Sequence, residues 1–79
     1  MSSPLEVPIR DESIRLGQLL KLAGVVDDGS MARMVIENAE VTVDGVVTVR
    51  RGTQVRPGQT VTYAGQSLVV TAPESPERR

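Results

Sequence analysis

The apolar residues of this chain change their spacing once, near Glu40, and that change limits the folds open to it. Before it, Leu16, Leu19, Leu20 and Ala23 fall at i, i+3, i+4 and i+7, and Ala32, Val35, Ile36 and Ala39 repeat the interval. Such spacing lays one face of an α-helix against a core. After Glu40 the period is two. In "VTVDGVVTV", residues 41–49, Asp44-Gly45 separates two Val-rich runs, the pattern of a two-residue hairpin turn that needs positive φ.

The connections agree with this division. Ser13 is the expected N-cap of the first helix, and Gly24 stands where a left-handed residue would end it. In "VVDDGS" Val25 and Val26 are expected to tuck onto the core, while Asp28 or Ser30 can cap the second helix. Pro57-Gly58 suits a type II turn, with Pro fixing φ at the first central position and Gly free at the second. Val61 and Tyr63 then alternate with Thr60 and Thr62, and "SLVVT" supplies a last strand. The fold class expected is α+β, a helical hairpin packed on a small antiparallel β-sheet.

Three regions follow. Residues 1–12, with Pro4 and Pro8 and no sustained period, read as a flexible lead, residues 9–12 being open between lead and a short first strand. Residues 13–72 form the folded domain. Residues 73–79, "PESPERR", are Pro-rich and charged and read as a disordered tail. With 79 residues the chain has room for one core, since a domain this short buries only about 60% of its unfolded surface. No apolar run approaches the roughly 18 residues of a membrane span, and a cytoplasmic monomer is expected.

Composition weighs against catalysis. The chain has neither Cys nor His, which removes thiolate and imidazole metal ligands and the commonest proton shuttle, and no cofactor is expected. The acid pairs Asp11-Glu12 and Asp27-Asp28 suit capping or solvated surface better than a shared site, because neighbours on an irregular segment rarely converge on one atom. Ser30 has no base at a readable spacing, and Gly52 and Gly58 precede no Lys-Ser/Thr of a phosphate loop.

Cations are the more informative residues. Formal net charge is −1, yet Arg50, Arg51 and Arg56 crowd one short polar segment. In an extended strand Arg50 and Arg51 would diverge, so only a bend at Gly52 lets both serve one surface. A solvated turn is the alternative reading. Arg15, Lys21 and Arg33 lie off the apolar stripes of both helices, so a sheet loop folding beside the helical hairpin would merge the groups into one cationic face.

The passages "RLGQLLKLAGVV", "ARMVIENAEVTVDG" and "RRGTQVRPGQTV" resemble the S-four RNA-binding domain, the αL motif named after ribosomal small-subunit protein four, in its minimal free-standing bacterial form. The likeness spans about residues 14–70. It implies an RNA-binding surface made by the helical hairpin and the loop after the hairpin's second strand, with Arg15, Lys21, Arg33, Arg50, Arg51 and Arg56 as candidates. It also implies structured RNA, ribosomal RNA or a ribosomal subunit above all, as partner. Ala39 stands where the family usually has Gly, Asp44 where it usually has Asn, and Asp28-Gly29 where Ser-Arg is frequent. The last departure removes a cation from the second helix start. With Tyr63 as the single aromatic there is no stacking platform for single strands, and shape and phosphate are the features left to read. A protein-interaction module on the same fold is the alternative from another class.

The stripe assignment has a direct test. Leu20→Ala should cost about 2–5 kcal/mol in urea denaturation, a large part of the stability of so small a domain. A loss below about half a kcal/mol would put Leu20 outside the core.

Overall fold

The two apolar stripes become the two helices of the computed structural model, which describes residues 4–72. Helix α1 (Leu16–Leu22) buries Leu16, Leu19 and Leu20, and helix α2 (Gly29–Glu37) buries Ala32, Val35 and Ile36. The helices pack on each other and on one face of a sheet. That sheet has the order β1 (Leu5–Pro8), β7 (Gln66–Thr71), β6 (Thr60–Tyr63), β3 (Val41–Val43), β4 (Val46–Val47). A separate two-residue ladder joins β2 (Ile14–Arg15) to β5 (Gln54–Val55). Alternation of side chains sends Val41, Val43, Val61, Leu68 and Val70 into the core shared with the helices. The α+β class holds.

Each helix end has a local cause. Asp28 caps α2, its Oδ1 accepting from the Met31 N–H at 2.9 Å. At the end of α1, Gly24 takes φ +77, and the Gly24 and Val25 N–H groups donate to the carbonyls of Lys21 and Leu20. This Schellman arrangement turns Val25 and Val26 back onto the core, where Val26 is buried. Helix α2 ends the same way: the Ala39 and Glu40 N–H groups donate to Ile36 and Val35. Here the left-handed residue is Ala39, φ 63, so Ala39 leaves the helical stripe and is exposed. Asp44 (φ 52) and Gly45 (φ 84) form the expected tight turn between β3 and β4.

Three expectations are corrected. The sheet is mixed rather than antiparallel, because β1 runs parallel to β7 with Val7 opposite Val70. Residues 5–8 therefore belong to the sheet and not to a flexible lead: Val7 and Ile9 are 4% and 5% exposed, and the Ile9 N–H donates to the Thr71 carbonyl. Pro8 is compatible with this because an edge strand needs donors only on the side facing its neighbour. Ser13 does not cap α1. Its hydroxyl donates to Gln54 Oε1, residues 14–15 enter the short ladder, and Arg15 occupies the cap position without a side-chain bond. The tail expected at residues 73–79 lies outside the described residues, as do residues 1–3.

Ala39 yields a prediction. A left-handed conformation costs a non-Gly residue about 1–2 kcal/mol, part of which Gly returns as extra unfolded-state entropy. Ala39→Gly should raise stability by about 0.5–1 kcal/mol, seen as a higher urea midpoint at unchanged slope. A lowered midpoint would show that the Ala39 methyl makes a contact worth more than its strain.

Candidate functional site

A seven-residue helix beginning at Leu16 has no side-chain cap, and backbone carbonyls from a distant loop supply its first acceptors. The Leu16 N–H donates to the Thr53 carbonyl at 2.9 Å and the Gly17 N–H to the Arg51 carbonyl at 3.1 Å. Just before the helix, Arg15 pairs with Gln54 and Ile14 with Val55. The loop itself is a turn, since the Thr53 N–H donates to the Arg50 carbonyl at 3.1 Å, and the bend needed to keep Arg50 and Arg51 from diverging is present. The loop packs directly on Gly17: a Cβ built there would lie 3.5 Å from Arg51 Cβ, an ordinary van der Waals contact. Arg15, Arg50 and Arg51 are thereby brought to one end of α1, all exposed. Anion attraction there belongs to the side-chain cations, as the first helical N–H groups are already occupied.

Along α1, Arg15, Gln18, Lys21 and Leu22 recur at three- and four-residue intervals and share a face. The segment between β1 and β2 passes in front of that face. Between them lies an open hollow of about 720 Å³, lined among others by Arg10, Arg15, Gln18, Lys21, Leu22 and Gln54. Three cations border it against one acid, Asp11. Arg10, Gln18 and Gln54 were missed by sequence reasoning. The alternation of Leu5, Val7 and Ile9 with Glu6, Pro8 and Arg10 was the available signal, masked by two prolines.

Arg33 and Arg56 stand on other elements. Arg33 projects from α2 and pairs with Glu37 one turn on, Nε to Oε2 at 3.1 Å, with both side chains more than half exposed. Such a pair is worth only about 0.3–0.5 kcal/mol, so an anionic ligand could compete for Arg33 at small cost. Arg56 belongs to the Pro57-Gly58 turn, in which the Gln59 N–H donates to the Arg56 carbonyl and the Arg56 N–H to Gln59 Oε1. Gly58 has φ +95, as a type II turn requires. A latch ties this turn to the β3–β4 hairpin: Asp44 accepts from the Thr60 N–H and from Gln59 Nε2, both at 3.0 Å. Among the described residues no group of three or more Asp or Glu has the arrangement of a metal site, and no helix is long and apolar enough to cross a membrane.

Comparison with known proteins gives one consistent family. The S4 domain model matches residues 7–71. YbcJ of Escherichia coli (strain K12) is 41% identical over 59 residues, 75% of this chain and 84% of its own. The "Probable ribosome maturation protein RlbA" of Bacillus subtilis (strain 168) is 37% identical over 65 residues, 82% of this chain and 89% of its own. The solution structure of YbcJ, described as revealing an αL motif involved in RNA binding, superimposes with a TM-score of 0.70 at 36% identity, over 91% of this chain and 92% of that one. Heat Shock Protein 15 of Vibrio cholerae, a trimeric structure, shares the fold with a TM-score of 0.67 at 24% identity, over 86% of this chain and 71% of that one.

The latch around Asp44 makes stability depend on pH. The Thr60 N–H, and after it the Gln59 amide, hold this carboxyl below its ordinary 3.8, against a weaker opposing effect of desolvation. A carboxyl whose pKa is depressed by folding contributes stability above its unfolded value, and the contribution is lost as pH falls through the folded value. The latch should therefore be fully present at neutral pH and fade from about pH 3.8 downward. Asp44→Asn removes this titration, so the urea midpoints of wild type and variant should differ at pH 7 and draw together on acidification below that point. A difference that stays constant down to pH 2 would mean that the Asp44 charge does not support the turn.

Proposed function

The chain belongs to the S4 domain family, and from that premise we propose that it is a non-catalytic protein that binds structured RNA, ribosomal RNA or a ribosomal particle, through the exposed cations around α1. The observation that carries this reading is the pair of backbone bonds from Leu16 and Gly17 to the loop at Arg51 and Thr53. They make the approach of Arg50 and Arg51 to Arg15 a consequence of the fold rather than of side-chain chance. Eight of the nine basic residues are Arg, whose planar fork can hold two phosphate oxygens at once.

Structured RNA is favoured over single strands because the one aromatic ring, Tyr63, partly buried against the core, cannot make a platform for successive stacked bases. Lys21 extends the cationic face along α1 toward its C-terminal end. Arg33, once released from Glu37, and Arg56 are peripheral contacts in this scheme. Monomeric action in the cytoplasm, on nascent or assembled ribosomal RNA, is the setting we propose, in keeping with the name of the Bacillus subtilis relative.

A second reading has one observation in its favour. Strand β4 is a sheet edge, and Val46, Val47 and the following Val49 are 66%, 55% and 51% exposed, an apolar strip of the kind that can accept a protein strand. Ionic strength separates the two, since phosphate binding weakens steeply with salt and apolar docking does not.

Arg51→Ala should therefore weaken binding to structured RNA at low salt and flatten the slope of log K against log[salt] by somewhat under one unit, because one phosphate contact and its released counterion are lost. Circular dichroism should be unchanged, an exposed Arg contributing typically within about half a kcal/mol to stability. The charge-matched control is Arg79→Ala. Indistinguishable behaviour of the two variants, or a wild type without salt-sensitive binding to structured RNA, would remove the cationic-face reading and favour docking at β4.

A further inference from the structure

The hollow between α1 and the β1–β2 segment holds more chemistry than phosphate attraction requires. A phosphate needs cations and donors alone. Here Arg10, Arg15 and Lys21 border a space that also has an exposed Leu22, 60% accessible, and two amide side chains, Gln18 and Gln54. One of the amides is oriented in advance. The Ser13 hydroxyl occupies Gln54 Oε1, which leaves the Gln54 NH₂ as the group presented for donation. Asp11, on the same border, supplies an acceptor. At about 720 Å³ the space lies within the range of roughly 300–1,000 Å³ typical of small-ligand sites, and it is open on one side.

We infer that this hollow holds a single nucleotide extruded from the bound RNA: cations on its phosphate, Leu22 against the base, and Gln18, Gln54 and Asp11 reading the base edge. The inference rests on the RNA-binding reading above and adds to it a site for sequence. It also meets a difficulty of that reading, because phosphate contacts fix position without carrying base identity, whereas an unstacked base exposes edges that side chains can distinguish. An open mouth is what a nucleotide still joined to its neighbours needs, since the backbone must enter and leave. A leucine more than half exposed on the last turn of α1 has no part in the core and fits as the apolar wall. With Arg15 and Lys21 on the phosphate, the guanidinium plane of Arg10 can cover the opposite side of the base, since Arg planes as well as aromatic rings stack on unstacked bases.

The test compares a fully paired RNA hairpin with four versions carrying one extruded A, C, G or U. Wild type should bind at least one bulged hairpin about tenfold more tightly than the paired one, the gain expected from one or two net hydrogen bonds. Gln18→Ala and Leu22→Ser, both exposed positions, should each abolish that preference while leaving affinity for the paired hairpin in place. Arg51→Ala should weaken all five hairpins alike and keep the preference. The free mononucleotide of the preferred base should shift the Gln18 side-chain amide resonances of wild type at affinities about a hundredfold below the bulged hairpin, as expected of a ligand stripped of its tethered contacts. Equal, salt-sensitive binding of all five hairpins by wild type would overturn the nucleotide site and leave the RNA-binding reading intact. Binding of none would overturn both. A preference that survives in Gln18→Ala and Leu22→Ser would put the extruded base elsewhere, and a free mononucleotide as tight as the hairpin would make the occupant a soluble nucleotide rather than part of an RNA.

Discussion

The first turn of α1 depends on a loop more than 30 residues away in sequence, and the candidate surface depends on that turn. A helix of seven residues is far too short to persist alone in water, so its stability must come from the burial of Leu16, Leu19 and Leu20 and from acceptors for its leading N–H groups. Carbonyls of Arg51 and Thr53 serve as those acceptors, and the β2–β5 ladder holds the loop in register. Arg50 and Arg51 are exposed at this junction because their backbone, not their side chains, is engaged in it. The same contact that stabilises the helix thus presents the cations, and fold and surface are not separable here.

Charge follows the same economy. The chain is mildly acidic overall, yet three of its acids serve local ends: Asp28 caps α2, Asp44 latches the Pro57-Gly58 turn, and Glu37 pairs with Arg33. The cations at α1 have no such partner among the described hydrogen bonds and ion pairs. A net charge near zero is therefore a poor guide to this protein, since the field near a surface is set by what stands within about a Debye length of it, roughly 10 Å at moderate salt. The surface also divides by strength of commitment: Arg15, Arg50 and Arg51 are grouped by backbone geometry, while Arg33 and Arg56 lie on other elements.

The helices and the hairpin were legible because their signals are local. Two helical stripes, Gly24, Asp28 and the Asp44-Gly45 dipeptide each act over a few residues of chain, and each announced an element that is present, with Ala39 of the second stripe falling beyond its helix. The first strand was not legible in that way. Leu5, Val7 and Ile9 alternate, but a four-residue strand preceded by one proline and ending in another carries no stability of its own, and β1 exists because β7 offers it an edge at the far end of the chain. Ser13 shows the same limit at a single residue: its capping propensity was real, and a side chain from β5 claimed its hydroxyl instead.

The fold class was legible in the chain alone: a core of Val, Leu and Ile on helical and then strand spacing, in a sequence without His or Cys whose cations are eight Arg and one Lys. These are properties of composition and short-range period, and they survive without knowledge of any distant contact. It took the tertiary structure to bring the loop carrying Arg50 and Arg51 onto the start of α1 beside Arg15, and to set Arg10, Gln18 and Gln54 around one hollow with Lys21. The reason is that these relations run through backbone pairings between residues about 35 to 65 positions apart, β1 with β7 and β2 with β5, whose partners are chosen by edge availability and core closure rather than by anything either segment encodes alone.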